Sequence, residues 1–323
     1  MEVIKNEAGT ATIKNYLKIA RIDHWIKNAF IVPGLVLSLI LGDYTGSITN
    51  FIVKLIAGFF ATCFIASANY VINEWLDADF DKYHPTKKFR PVVTSNMKFH
   101  WVIVEYAICI VIGIGLSLVV NKAFLIVEMW LLIMGILYNV KPFRTKDIVY
   151  LDVLSESINN MIRLMLGWFI VCDSYYPPSS ILVGYWMGGA FLMAIKRYAE
   201  YRMIGDPKLA GLYRKSFIKY SEASLLCSAF FYALCSTFLV GIFLLKYRIE
   251  YIVAIPVLFF LFCYYLYIAY KPDSAVQKPE KLFREKKLMG LVGVLVVLFI
   301  ILTVVDIPVM QIWENAFFIQ THR

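Results

Sequence analysis

Charge is scarce in this sequence. Only 17% of its 323 residues are Asp, Glu, Lys or Arg, whereas 60% are hydrophobic and 16% aromatic. With a mean hydropathy of +0.67, the chain carries too much apolar surface for one water-soluble core, and a disordered chain is excluded on the same ground. Six cysteines, Cys63, Cys109, Cys172, Cys227, Cys235 and Cys263, form no Cys-x-x-Cys pair; the usual zinc and redox spacings are missing and packing is their expected role. No Pro/Gly/Ser linker, fixed-period repeat or low-complexity tract divides the chain, so residues 1–323 are expected to form one all-α domain. Residues 1–24 contain Lys5, Lys14, Lys18 and Arg21 but no apolar stretch ending in small residues. They read as a basic cytoplasmic leader and not as a cleaved signal peptide. Tyr16, Leu17, Ile19 and Ala20 suit either a short interfacial helix or a solvated leader.

Acidic residues are fewer than basic ones, 23 against 32, for a net charge of +9. The cations lie between apolar runs and not on one basic face, which argues against nucleic-acid binding. A hydrocarbon layer about 30 Å thick needs roughly 20 apolar helical residues to cross it. Nine such windows occur, near Trp25–Leu41, Ile52–Asn73, Trp101–Val120, Ala123–Asn139, Leu151–Cys172, Ser179–Ala199, Ala223–Leu245, Tyr251–Tyr270 and Leu288–Val305. The expected fold is therefore a polytopic helical bundle of nine transmembrane helices. One set of alternate connections holds most of the cations, while the other set has only Lys122, Lys246, Arg248 and Arg323. By the positive-inside rule the N-terminus and long loops face the cytoplasm, and a short tail, 306–323, lies outside.

Polar residues concentrate where the second span ends. Asn69, Asn73, Asp77 and Asp81 recur every four residues, which places them on one drifting helix face. Two carboxylates and amide oxygens at a membrane surface form an all-oxygen donor set. Such a set suits Mg²⁺, which keeps water ligands and is commonly shared with substrate phosphates. Asp79 lies off this face. The same acids would also be compatible with a solvated helix end paired to Lys82, Lys87 or Lys88. Downstream, His84-Pro-Thr-Lys87-Lys88-Phe-Arg90-Pro91 is a stiff cationic loop able to hold a diphosphate or to meet anionic headgroups.

These residues resemble the first aspartate-rich motif of the UbiA superfamily of intramembrane prenyltransferases, with Glu74 standing where the family commonly has Asp. The likeness runs from about Arg21 to Arg214. It includes Arg21-x3-Trp25-x-Lys27-Asn28, Tyr138-x2-Lys141-Pro142-x-Arg144-x-Lys146-Asp147, Leu151-Asp152-Val153-Leu154 and Arg163. It implies a Mg²⁺-dependent membrane transferase in which Asn73, Asp77 and Asp81 hold the metal. Lys87, Arg90, Arg144 and Lys146 would clamp the leaving diphosphate, and Arg21, Lys27, Asn69, Tyr138, Lys141, Asp152 and Arg163 would line the substrate cavity. Its implied partners are the bilayer, an isoprenoid lipid and a diphosphate-bearing donor.

One departure bears on the reaction. Family members that prenylate aromatic rings usually carry a second acidic motif near the end of the sixth span, where this chain has Lys196-Arg197-Tyr198-Ala199-Glu200. That pattern is similar to the branch that transfers phosphoribose from phosphoribosyl diphosphate to a polyprenyl phosphate, with Lys196, Arg197 and Glu200 as substrate-binding residues. Prenyl transfer to an aromatic or other small acceptor is the alternative, and a non-catalytic transporter or scaffold is the alternative from another class. Inside the apolar runs, Glu128 and Arg163 need partners; they would either pair with each other or place Arg163 on the cavity. Asp152 and Glu156, one turn apart, would line the same cavity or act as acceptor-side bases.

Overall fold

The computed structural model describes residues 9–42, 44, 46–271, 274–277, 282, 284–308 and 310. The parts of the leader and tail at 1–8 and 311–323 lie outside the described residues, as do Lys278 and Lys281. Helix α1 (Ile13–Ile19) is followed by a 3₁₀ segment, Ile22–Ile31, that leads into α2 (Val32–Leu41). Then come α3 (Ile48–Asp81), α4 (Pro91–Thr94), α5 (Phe99–Val120), α6 (Lys122–Asn139), α7 (Leu151–Val171), α8 (Ser179–Ile204), α9 (Pro207–Tyr213), α10 (Glu222–Tyr247), α11 (Ile255–Ala269) and α12 (Lys286–Val304). Among the described residues the extended structure is one parallel two-residue ladder, Gly9 opposite Ser95 and Thr10 opposite Asn96.

Eight helical stretches are long and apolar enough to cross a membrane: Ile13–Leu41, α3, α5, α6, α8, α10, Ile249–Ala269 and α12. The chain is thus an integral membrane protein. The ninth expected span, α7, has 21 residues, about 31 Å at 1.5 Å per residue. It falls short in apolarity because Asp152, Ser155, Glu156, Ser157, Asn159, Asn160 and Arg163 interrupt it. The reason is its position. Every residue from Met161 to Ile170 is buried, so α7 is surrounded by protein, and its polar groups meet protein partners where a peripheral helix would meet lipid.

The first span also differs from expectation. A single α-helix over Trp25–Leu41 is replaced by the 3₁₀ segment up to Ile31, with α-helix only from Val32. Pro33, in the first turn of α2, has no N–H to donate and restrains the residue before it, so the α-helix starts there. The leader does contain a helix, α1. Ile19 and Ala20 pack with Val71, Met97 and Val102, whereas Ile13 and Leu17 are exposed.

The chain divides into two compact units, residues 1–177 with 200–225, and 178–199 with 226–323. In the first unit α2 and α7 approach backbone to backbone. A Cβ on Gly34 would overlap the Leu164 carbonyl oxygen, and one on Gly167 would overlap that of Ile31. In lipid, where apolar burial gives little drive for helix association, such small-residue contacts supply the packing. Helix α3 begins with Ser47 as cap, its hydroxyl accepting from the Asn50 N–H at 3.2 Å. It continues unbroken for 34 residues, about 51 Å, so roughly 20 Å of it extends beyond a 30 Å hydrocarbon layer. In the second unit the Ser236 hydroxyl donates to the Gly184 carbonyl at 2.8 Å, and the rings of Phe191 and Phe262 lie 4.8 Å apart.

Candidate functional site

Each four-residue step along α3 turns its side chains by about 40°, and the partners of the acidic face change accordingly. Asn69 Nδ2 donates to the Leu131 carbonyl of α6 at 3.0 Å, and Asn73 Nδ2 to Asn139 Oδ1 at 2.5 Å. Asp77 reaches the turn that follows α6, where its Oδ1 accepts from Lys146 Nζ at 2.5 Å and from Arg144 Nη2 at 3.0 Å. Asp81 accepts from Arg90 Nη1 at 2.5 Å. Asp79, off the face, is exposed and pairs with Lys82 at 2.7 Å. Asn139 ties the arrangement together, since its Oδ1 also accepts from Lys146 at 2.8 Å and its carbonyl accepts from Arg144 at 3.1 Å. Arg144 adopts a left-handed backbone, with φ of 31°. That is a costly conformation for a residue with a Cβ and is tolerated where surrounding contacts hold it.

Asp77, Asp81, Arg144 and Lys146 line one small open cleft, together with Phe80, Asp147, Tyr213, Arg214 and Lys215. Burial pulls the Lys146 ammonium down to about 8; Asp77 opposes this and Arg144 adds to it. Burial likewise acts to lower Arg90, but Asp81 and Glu74 hold it above the ordinary arginine value.

The loop after α3 forms a second cluster. His84 Nδ1 accepts from the backbone N–H of Thr86 at 3.1 Å and of Lys87 at 3.2 Å, while Nε2 lies 3.3 Å from Glu200 Oε1. Lys87 Nζ donates to the same carboxylate oxygen at 2.9 Å and also bonds Tyr213, whose hydroxyl donates to Glu200 at 3.0 Å. Burial acts to lower Lys87, yet Glu200 and Tyr213 hold it above the usual lysine value. Burial depresses His84 despite Glu200. Lys87 is therefore committed to Glu200 and is not among the residues lining the cleft of Asp77 and Asp81.

Other residues singled out in the sequence are not among those lining that cleft, although Asp152 and Tyr138 contact Arg214, which does. Glu74 is buried and paired with Arg21 at 2.5 Å, which holds α3 to the leader, and with Arg90 at 3.6 Å, which holds it to the loop that follows. Lys27 Nζ lies 3.0 Å from His24 Nδ1 and 5.7 Å from the Tyr70 ring centroid. Lys141 is exposed. Arg163 donates to Asn28 Oδ1 at 3.0 Å and to the Asn159 carbonyl at 3.2 Å. The Glu128–Arg163 ion pair does not form, and both Glu128 oxygens are buried without a hydrogen-bond partner. Asp152, fully buried, accepts from Tyr220 at 2.7 Å and Ser216 at 3.1 Å, with Arg214 at 3.5 Å. It anchors the segment after α9. Tyr138 donates to Glu156 at 2.7 Å. Lys196 and the buried Arg197 belong to the second unit, whereas Glu200 belongs to the first.

Sequence reasoning assigned no role to Asn139, Tyr213, Arg214 or Lys215. Asn139 was within reach, since it directly follows Tyr138 in a motif already noted. Arg214 and Lys215 had no spacing signal, because they join the cleft through a loop.

Among the described residues no group of three or more His, Cys, Asp and Glu side chains clusters to hold a metal unaided. The donor set here is two carboxylates in one cleft plus the Asn73 carbonyl oxygen, whose amide nitrogen is already engaged. It fits a hard divalent cation that shares its shell with waters and substrate phosphates.

Residues 31–289 match the family model described as the UbiA prenyltransferase family. The chain is 27% identical over 234 residues to decaprenyl-phosphate phosphoribosyltransferase of Mycolicibacterium smegmatis, covering 66% of this chain and 64% of that one. It is 29% identical over 155 residues to an uncharacterized protein of Sinorhizobium fredii, covering 48% of this chain and 28% of the other. The chain thus spans less than two thirds of the length of these curated relatives. Its fold is similar to a solved UbiA homolog from Archaeoglobus fulgidus, bound to GPP and Mg²⁺, with a TM-score of 0.65 and 19% identity, covering 90% of this chain and 100% of that one. The matched span takes in every helix from α2 to α11 and with them the cleft at the end of α3, so the chain belongs to the UbiA prenyltransferase family.

Proposed function

We propose that this protein is a Mg²⁺-dependent transferase that acts on a polyprenyl lipid with diphosphate as leaving group, moving phosphoribose from phosphoribosyl diphosphate to a polyprenyl phosphate. The observation that carries the proposal is the single cleft in which Asp77 and Asp81 face Arg144, Lys146, Arg214 and Lys215. Asn73, Asp77 and Asp81 would hold the metal, which when bound supplies positive charge to the departing phosphate oxygens. The chain's own cations do the rest. As the bond from ribose C1 to the diphosphate breaks, negative charge grows on the leaving oxygens, and Arg144 and Lys146 are already fixed by Asp77 and Asn139 to meet it. Burial disfavours the Lys146 ammonium, and a bound diphosphate would add to the counter-charge that Asp77 already supplies. An oxygen of the acceptor phosphate forms the new bond to C1, so no protein nucleophile is needed.

Phosphoribosyl transfer is favoured over prenyl transfer by the state of Glu200. Where a second acidic motif would hold a second cation, this carboxylate is engaged by Lys87 and Tyr213. The name of the mycobacterial relative points the same way. The proposal includes nine crossings, with α7 among them, a cytoplasmic N-terminus and a cleft opening to the cytoplasm, in keeping with the cations of the α3–α5 and α6–α7 connections.

The test compares radiolabelled donors in membranes containing the full-length chain. Phosphoribosyl diphosphate with a polyprenyl phosphate should give labelled lipid only when Mg²⁺ is present. Strong turnover of a polyprenyl diphosphate with an aromatic acceptor, and none with phosphoribosyl diphosphate, would replace the lead reaction by prenyl transfer.

A further inference from the structure

The cations of the cleft are unequally occupied. Arg144 is paired with Asp77 and Asp147, and Lys146 with Asp77. Lys215 sits at the rim, half exposed and 3.8 Å from Asp147. Arg214 differs. Its Nη1 reaches the Tyr138 hydroxyl at 3.4 Å, and its nearest carboxylate, Asp152 at 3.5 Å, also accepts from Ser216 and Tyr220. Its Nε is buried with no hydrogen-bond partner. A guanidinium lying 6.0 Å from the Phe217 ring centroid, engaged along one edge and with a buried donor unused on another, presents the planar fork that suits a phosphate group.

We infer that Arg214 forms a subsite for a phosphomonoester, separate from the diphosphate clamp of Arg144 and Lys146. The inference rests on the reading that a diphosphate occupies the Asp77 side of the cleft. Both substrates of the proposed reaction carry such a group: the 5-phosphate of the donor and the headgroup of the polyprenyl acceptor. Arg214 is held between Tyr138, next to the last residue of α6, and Asp152, second in α7. That is the level at which these helices end and where a lipid phosphate would lie, close enough to the clamp for either source.

The test measures binding to full-length protein in detergent micelles, for the native chain, Arg214→Gln and Arg214→Lys, with three probes: ribose 5-phosphate, farnesyl phosphate and inorganic diphosphate with Mg²⁺. Arg214→Gln should weaken one monophosphate at least tenfold and leave diphosphate within threefold, and Arg214→Lys should recover part of the loss. Weakening of ribose 5-phosphate assigns the subsite to the donor, and weakening of farnesyl phosphate assigns it to the acceptor. Unchanged binding of both monophosphates overturns the inference. So does equal weakening of all three probes in both variants, which would put Arg214 in the diphosphate clamp or in the fold. Failure of the proposed reaction gives a different pattern, in which no phosphoribosyl product forms with the native chain but a monophosphate still depends on Arg214. Conversely, product formation by Arg214→Gln with unchanged KM for both substrates removes the subsite and leaves the reaction standing.

Discussion

The ion pair between Lys87 and Glu200 gives the most quantitative test of how the loop after α3 is held. Glu200 accepts from Lys87 at 2.9 Å and from Tyr213 at 3.0 Å, and the two charged side chains are 25% and 6% exposed. Glu200→Gln keeps the shape of the side chain but leaves the ammonium without its anion. Breaking a fully buried pair costs about 3–5 kcal/mol, and an exposed pair contributes less than about 1 kcal/mol. With water reaching a quarter of Lys87, the expected loss is about 2–3 kcal/mol, which at roughly 2–4 °C per kcal/mol lowers Tm by several degrees. The assay is a double-mutant cycle with Lys87→Met, reading thermal unfolding of purified protein at one fixed scan rate. Once either partner is gone the other contributes little, so the double variant should be more stable than the sum of the single losses predicts, with a coupling of about 1–2 kcal/mol. Additive losses, or a Glu200→Gln variant with an unchanged Tm, would refute the pairing and return Lys87 to the cleft as a phosphate ligand.

Asp77→Asn and Asp81→Asn should each lower turnover by orders of magnitude and abolish any upward shift of Tm on adding Mg²⁺; full activity with an intact metal response would remove the metal from the mechanism. Asp152→Ala deletes the acceptor of Tyr220 and Ser216 and should cost about 3 kcal/mol, with faster tryptic cleavage after Lys215 and Lys219 as its local sign. Gly167→Val would drive a side chain into the Ile31 carbonyl, so little folded protein should be recovered from membranes, whereas substitution at Gly115, which faces open space, should be tolerated. Glu128→Gln removes a buried acid that has no ion pair to lose, and a Tm no lower than that of the native chain is expected; a fall of several degrees would mean that the carboxyl group has a partner.

Much of this architecture was readable from hydropathy, because a membrane segment must be apolar along its length and must satisfy its backbone internally, and both requirements mark the sequence. Helix α7 escaped that logic in part. Enclosed by protein from Met161 to Ile170, it was free to carry Asp152 and Arg163, so its composition reports its neighbours and not its length. The 3₁₀ start of the first span was signalled only by Pro33. At the site, four-residue spacing was enough to bring Asp77 and Asp81 to one side of α3, since helix geometry is local.

Which cation meets which carboxylate was not encoded in spacing. Lys87 and Lys146 are both lysines in loops near the ends of apolar runs, yet one is held by Glu200 and the other by Asp77. Arg214 reaches the cleft because Asp152, 62 residues earlier in the chain, fastens the segment around it. The sequence by itself determined the helices, their apolar lengths and the acidic face, all of which depend on neighbours within a few turns. The pairing of charges and the makeup of the cleft were decided only by the tertiary structure, because a side chain's electrostatic partner depends on distance in space, and loop closure brings together groups that no periodicity connects.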